Sequence, residues 1–304
     1  MTTVKDQPTN VRALIEVSAR WLEGQGVDEA RLAIEHLLAH VLGCRRLDLY
    51  LDHDRPVSEA ERARFRGLVL RRLRREPLAY ILGTRGFYGL DLKVGPGVLV
   101  PRPESEHLVE GGLEELGRVQ LEGEDPGREL VLADVGTGSG CLALALLTHA
   151  PGARAVGIDR SAAALRIARE NARALGLEGR LSLVRGDLLD AVAPGSLDLV
   201  VSNPPYVTPD EEGLLAPEVR DHEPREALFD APGLPLTARL VRDAKVALRP
   251  GGALLVETGW NKAPVLREMF AAAGYEAVRT IPDLAGIERV VLGRVPRPPG
   301  GGPA

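Results

Sequence analysis

The chain has no apolar run approaching the roughly 20 residues that cross a bilayer. Its opening stretch, MTTVKDQPTNVRAL, lacks the apolar core of a secretion signal. Together these absences predict a cytoplasmic protein without a membrane partner. Cysteine is scarce: of 304 residues only 2, Cys44 and Cys141, are cysteine, each in an apolar, helix-like setting. Buried free thiols are expected there, not a disulfide. Histidine is sparse as well, and of the 6 only His36 and His40, in EHLLAH, share a helical face. With no third ligand beside them and no HExxH, no metal is expected. A basic excess is also missing. The 38 Lys and Arg stand against 43 Asp and Glu, and the net charge of −5 argues against broad binding to a nucleic-acid backbone.

What remains is the composition of a globular protein, with 44% hydrophobic and 27% charged residues. Residues 10–83 read as helices. In EARLAIEHLLAHVLG the apolar Leu32, Ile34, Leu37, Leu38, Val41 and Leu42 recur at mostly helical spacing, with Gly43 as a stop. Ser58 and Glu61 stand at capping-box spacing before the next helix. That helix, RARFRGLVLRRLRREP (62–77), is dense in arginine; Leu68, Leu70 and Leu73 are expected to face inward. A solvated face is the plainer reading of its charge, and a docking patch at Arg71, Arg72, Arg74 and Arg75 the sharper one.

The pattern changes at FYGLDLKVGPGVLVPRPE, where alternating apolar residues around Gly95-Pro96-Gly97 predict a hairpin linker. Strand-like and helix-like segments then alternate to the end, which predicts βαβ units and a doubly wound, mostly parallel α/β sheet. The expected division is a helical N-terminal domain over 1–86, the linker over 87–100, the α/β domain over 101–294 and a disordered tail over 295–304.

Chemistry gathers at the predicted strand ends. The first strand runs into DVGTGSG, whose Gly136, Gly138 and Gly140 allow positive φ and close approach of the backbone to a ligand. Cys141 stands where the dinucleotide fingerprint has Gly or Ala, which weakens a nicotinamide reading. The second strand ends at Asp159, suited to two ribose hydroxyls, with Ser161 available to cap the following helix in its place. The third ends at Gly186-Asp187-Leu188. A glycine loop and two acids at successive strand ends predict a nucleoside site, because open α/β sheets bind ligands along that edge.

The fourth strand stops at VSNPPY. Asn203, before a proline, is pushed into extended geometry and projects past the strand end. Pro204 and Pro205 keep carbonyls but have no N–H, and Asn203 adds a side-chain carbonyl. This corner is rich in acceptors and suits a planar –NH2 group, with Tyr206 covering its flat face.

With GxGxG after strand one, NPPY resembles the amino-methylating class I methyltransferases. PLAYILGTRGFYGLDLKVGPGVLVPRPESEHLVE, DVGTGSGCLALAL, VSNPPYV, EPREAL and RPGGALLVETGW, in this order, resemble the HemK/PrmC family over residues 10–294. The resemblance implies a class I methyltransferase Rossmann-like fold, and the arginine-rich segment makes the helical domain the expected docking domain for the protein substrate. The resemblance also implies transfer of a methyl group from S-adenosyl-L-methionine to the glutamine of the GGQ loop in peptide chain release factors. Gly136, Thr137, Gly138, Ser139 and Gly140 would hold the methionine part of the cofactor, Asp159 its ribose, and Asp187 with Leu188 its adenine. Asn203, Pro204, Pro205 and Tyr206 would hold the glutamine, Asn203 also lying close to the cofactor. Asn203, Pro204 and Tyr206 would form the catalytic set, and in VPRPESE Arg102 and Glu104 would contribute to substrate binding. Two positions depart from the family pattern: Glu257-Thr258-Gly259-Trp260 leads to Asn261-Lys262 where a glutamine is expected, and Leu188 stands where some members of the family carry an aromatic residue, so it would give adenine only apolar cover. Rival readings are methylation of a ribosomal-protein glutamine, methylation of adenine N6 in a nucleic acid, and a non-catalytic binding module.

Overall fold

The computed structural model describes residues 9–123 and 127–298. Five helices come first: α1 (Val11–Gly24), α2 (Ala30–Leu42), α3 (Asp48–Leu51), α4 (Glu59–Leu73) and α5 (Leu78–Leu82). Strands β1 (Thr84–Phe87) and β2 (Leu90–Lys93) follow, then α6 (Glu106–Glu122). The alternating part begins with β3 (Leu130–Val135), α7 (Cys141–His149), β4 (Ala153–Asp159), α8 (Ala162–Ala174), β5 (Leu181–Arg185) and β6 (Leu197–Ser202). Two short helices, α9 (Pro217–His222) and α10 (Arg225–Leu228), precede α11 (Pro235–Ala247). The last elements are β7 (Leu248–Glu257), α12 (Ala263–Ala272), β8 (Glu276–Pro282) and β9 (Glu288–Arg294). The chain packs as two compact units that divide at Gly83, the first also taking in Ala216–His222.

The helical unit forms around Leu22, Ile34, Leu37 and Leu38, all fully buried. Gly43 ends α2 at a φ of 64°, and the Ser58–Glu61 capping box starts α4. Helix α4 buries Phe65, Val69 and Arg72, an i, i+4, i+7 stripe, with Leu68 and Leu73 half-buried beside it. Leu70 falls off that stripe and faces solvent, contrary to the inward position expected for it. The arginines are largely committed inside the unit. Arg72 and Arg75 pair with Glu218 of α9 at 2.7 and 3.2 Å, and the Arg71 Nε donates to Glu76 at 2.8 Å.

The second unit is a seven-stranded sheet in the order β5-β4-β3-β6-β7-β9-β8. Strands β3 to β7 are parallel, and β9 is antiparallel to both β7 and β8. Central strands covered on both faces read as continuous apolar runs, and every residue of β6 is buried. The chain leaves β3 toward β4 on one side and returns at β6 on the other. That reversal opens a crevice at the carboxyl ends of β3, β4 and β6.

Three features differ from the sequence expectation. The hairpin turn lies at Tyr88-Gly89, between Phe87 and Leu90, not at Gly95-Pro96-Gly97. Tyr88 and Gly89 have φ of 48° and 77°, the two positive values that a two-residue hairpin loop of type I′ requires, so β1 starts at Thr84. Helix α6 was not anticipated, because Gly111-Gly112 at its centre lowers helix propensity. Both glycines allow close packing: a Cβ on Gly111 would stand 2.6 Å from Ile281 Cδ1, and one on Gly112 2.9 Å from Leu146 Cδ2. Finally, the expected disordered tail begins too early at 295. Val295 N donates to Gly252 O and its carbonyl accepts from Gly251 N, both at 2.9 Å, while 299–304 lie outside the described residues.

Candidate active site

At the crevice lies a cavity of about 500 Å³. Gly136 to Ser139 line it, as do Asp159 from the end of β4 and Asp187 with Leu188 after β5. Asn203, Pro204 and Pro205, after β6, complete the wall. Residues far apart in sequence meet here because parallel strands end together along one edge.

The glycine loop is fixed by its own backbone. Gly136 N and Thr137 N both donate to Ile158 O, at 2.8 and 3.0 Å, and Gly140 N donates to Thr137 O at 2.7 Å. Gly136, Gly138 and Gly140 have φ of 74°, 56° and 83°, all in the left-handed region. At Gly140 a side chain would also press on α8, since its Cβ would stand 3.3 Å from that of Ala168. Beneath the loop lies Asp134, fully buried, accepting Thr137 Oγ1 at 2.7 Å and Ala143 N at 3.1 Å through Oδ2. Burial pushes its pKa up to about 6, against the pull of those two bonds. Asn171 of α8 supports the loop from outside, donating to Ser139 O at 2.9 Å.

The two strand-end acids are held differently. Asp159 accepts Gly138 N through Oδ2 at 2.9 Å and Ser161 N through Oδ1 at 2.8 Å. Ser161 caps α8 by accepting Ala164 N, so Asp159 is not needed for that task. Asp187 Oδ2 accepts Arg239 Nη1 of α11 at 2.6 Å, while its Oδ1 is buried and, among the described residues, unpartnered. Leu188 follows at a φ of 48° and gives the adjoining wall an apolar surface.

At the Asn203 corner the supports are side chains. Asn203 Nδ2 donates to Ser105 Oγ at 3.2 Å, and Ser105, 2% exposed, also lines the cavity. Pro204 is buried. Tyr206 is not on the cavity wall; its ring packs on Gly259, where a Cβ would stand 3.2 Å from Tyr206 Cδ2. Burial pushes its hydroxyl pKa well above the ordinary value, so it stays protonated. Arg102 lines the cavity and donates to Glu223 Oε1 at 2.5 Å, and the buried Glu223 accepts Val100 N at 3.0 Å through Oε2. Glu104 is not among the lining residues, a place its neighbour Ser105 takes. Downstream, Val207 N donates to Leu228 O and Asp230 N to Val207 O, both at 3.0 Å, fixing the chain after the turn.

Lys262, near where a glutamine was expected, pairs with Glu211 at 2.9 Å, and Glu211 accepts Thr208 N; the position anchors that loop. Cys141 is a free thiol whose pKa burial pushes up to about 12, which leaves it unreactive. Among the described residues no group of three His, Cys, Asp or Glu could hold a metal, and no helix is long and apolar enough to cross a membrane. Ser105, Asp134, Asn171, Glu223 and Arg239 were not singled out from sequence. Of these, Ser105 inside VPRPESE, Asp134 inside DVGTGSG and Glu223 inside EPREAL stood in stretches already marked.

The chain matches the PrmC N-terminal domain family over residues 13–83 and the Methyltransferase small domain family over 120–218. It is 40% identical over 294 residues to the Release factor glutamine methyltransferase of Geobacter sulfurreducens, covering 96% of this chain and 99% of that protein. The protein of the same name from Nitratidesulfovibrio vulgaris is 40% identical, with 97% and 98% covered. That from Rhodopirellula baltica is 38% identical, with 95% and 97% covered.

Proposed function

The chain belongs to the release factor glutamine methyltransferase family, and on that premise we propose that it methylates the side-chain amide nitrogen of the glutamine in the GGQ loop of peptide chain release factors, with S-adenosyl-L-methionine as donor. One observation carries the reading: the acceptor-rich Asn203-Pro204-Pro205 corner lines the same cavity as the glycine loop and the two strand-end acids.

The cavity wall fits the cofactor. Gly136 to Gly140 bring backbone close enough for its methionine part. Asp159 has lone pairs left for two ribose hydroxyls, since each oxygen accepts a single N–H from the chain. The unpartnered Asp187 Oδ1 supplies an acceptor for the adenine –NH2, and Leu188 an apolar surface for its ring. When bound, the cofactor supplies a methyl group already activated on a cationic sulfur.

The protein's task is then alignment. An amide nitrogen is a weak nucleophile, its lone pair being delocalised into the carbonyl. Asn203 Oδ1 and the Pro204 carbonyl accept the two amide hydrogens, fix the nitrogen in line with the methyl and stabilise the positive charge that develops on it. Orientation of this kind is worth about 7–11 kcal/mol of barrier. Neither Tyr206 nor Cys141 serves as base, both being held protonated by burial. The proton leaves to solvent after transfer, when the nitrogen has become acidic. Incubating unmethylated release factor with enzyme and cofactor should add one methyl group to the tryptic peptide that carries GGQ. No mass change, or equal methylation of a DNA duplex, would refute the proposal.

A further inference from the structure

The Asn203 corner answers the –NH2 of a substrate amide and offers nothing to the carbonyl oxygens that enter with it. Pro101, Pro204, Pro205 and Pro224 all line the cavity, and none has an N–H to give. Apart from Arg160 and Arg185, at the ends of β4 and β5, the lining side chains with N–H groups are Arg102 and Asn203. Asn203 Nδ2 is already engaged by Ser105 Oγ. A carbonyl oxygen taken from water needs a new donor, and Arg102 is the side-chain N–H donor left for it.

Arg102 is held for that task from behind. Its Nη2 donates to Glu223 Oε1 at 2.5 Å, and Glu223 Oε2 accepts Val100 N at 3.0 Å. The Glu223 side chain is 1% exposed and off the cavity wall, whereas that of Arg102 is 30% exposed and on it. A guanidinium has five N–H groups, and among the described residues no other hydrogen bond engages this one. Both partners of Glu223 are donors, one to each oxygen. A carboxylate satisfies two donors, while an amide of the same shape accepts one and turns an –NH2 against the other. The residues that follow, Pro224, Glu226 and Ala227, are themselves on the wall. Glu223 thus ties that stretch to Val100–Arg102 and fixes the guanidinium, leaving its remaining N–H groups for a ligand.

Resting on the function proposed above, we propose that Glu223 is a positioning residue for the protein substrate: it holds Arg102 so that the guanidinium donates to a main-chain carbonyl of the loop carrying the glutamine. The glycines of that loop have no side chain to shield such a carbonyl. The side-chain carbonyl of the glutamine suits Arg102 poorly, because a cation there would draw the nitrogen lone pair further into the amide. A carboxylate suits it poorly too, since Glu223 already balances the charge of Arg102. A main-chain contact lies away from the reacting nitrogen and is made alike before and during methyl transfer, so it acts on substrate affinity.

The test is a double-mutant cycle on steady-state kinetics, with release factor as substrate at saturating cofactor. Arg102→Ala should raise KM for release factor about 10- to 100-fold and leave kcat nearly unchanged. Glu223→Gln should raise it about 5- to 10-fold. Its cofactor affinity, measured by calorimetry, should match that of the wild type. In the Arg102→Ala background, Glu223→Gln should add less than about twofold. The KM rise in Arg102→Ala should be equal at low and high ionic strength, as for a neutral acceptor. Wild-type KM in either single variant would overturn the positioning role, as would a full Glu223→Gln penalty in the absence of Arg102. Lost cofactor affinity in Glu223→Gln would overturn it in favour of a merely structural role. A KM rise that vanishes in salt would overturn the main-chain contact in favour of an acidic side chain. Failure of the wild-type enzyme to methylate release factor would instead overturn the proposed function itself.

Discussion

At the Asp159 end of the cavity the polar groups are fixed by backbone donors close in sequence, whereas at the Asn203 end they are fixed by side chains from distant segments. Asp159 is held by Gly138 N and Ser161 N, within 21 residues of it. Asn203 is held by Ser105, 98 residues away, and Arg102 by Glu223, 121 residues away. The glycine loop rests on one buried acid, Asp134, which accepts from Thr137 and Ala143. The difference fits the demands on the two ends. Holding a cofactor requires a rigid cradle, which local backbone bonds provide. Orienting one amide against another requires a chosen hydrogen-bond direction, which only side chains with a defined donor order can set.

Substitutions at the two ends should therefore separate cleanly. Asn203→Ala should have the largest effect, lowering kcat by about 10²–10³-fold, as removal of one transition-state hydrogen bond does. Calorimetric titration of the variant with cofactor should show affinity nearly unchanged; a matching loss of affinity would erase the distinction between the ends. Asp159→Ala should do the reverse, weakening cofactor binding by about 1.5–3 kcal/mol and sparing kcat at saturation.

The buried acids predict a smaller effect that belongs to stability. Both have folded-state pKa values above their ordinary ones, about 7 against 4.5 for Glu257 and about 6 against 3.8 for Asp134. The folded chain therefore binds more protons than the unfolded one between those values, and stability falls as pH rises. Between pH 7.5 and 5.5, on the order of 2 kcal/mol should be gained from Glu257 and about 1 kcal/mol from Asp134. Denaturant titrations should show the gain reduced in Glu257→Gln and, by less, in Asp134→Asn. A flat profile in the wild type would contradict it. The smallest effect is expected at Arg239, which is partly exposed and touches only one oxygen of Asp187. Arg239→Ala should weaken cofactor binding by roughly two- to fivefold, since exposed ion pairs contribute little.

The same contrast decides what could be seen in the sequence. Gly136 to Gly140, Asp159, Asp187 and Asn203 were legible because each ends an apolar strand, and strand ends in a parallel sheet share an edge. The α/β order and the Ser58–Glu61 cap were legible for a similar reason, being local patterns. Ser105 was not, because its contact with Asn203 exists only once the end of β6 and the segment before α6 lie side by side. Arg239 looked like any charge on an amphipathic helix. Helix α6 was hidden by two glycines whose value lies in how near they let it approach the sheet.

Pro204 and Pro205 have a consequence for how the corner can be watched. Neither carries an amide hydrogen, so hydrogen exchange and amide-detected NMR are silent over two successive residues. On that short stretch of main chain the enzyme adds no exchangeable N–H signal of its own. A glutamine labelled with ¹⁵N in its side chain would bring its –NH2 resonances into that silence, and their shift on binding would report directly on the acceptors around them.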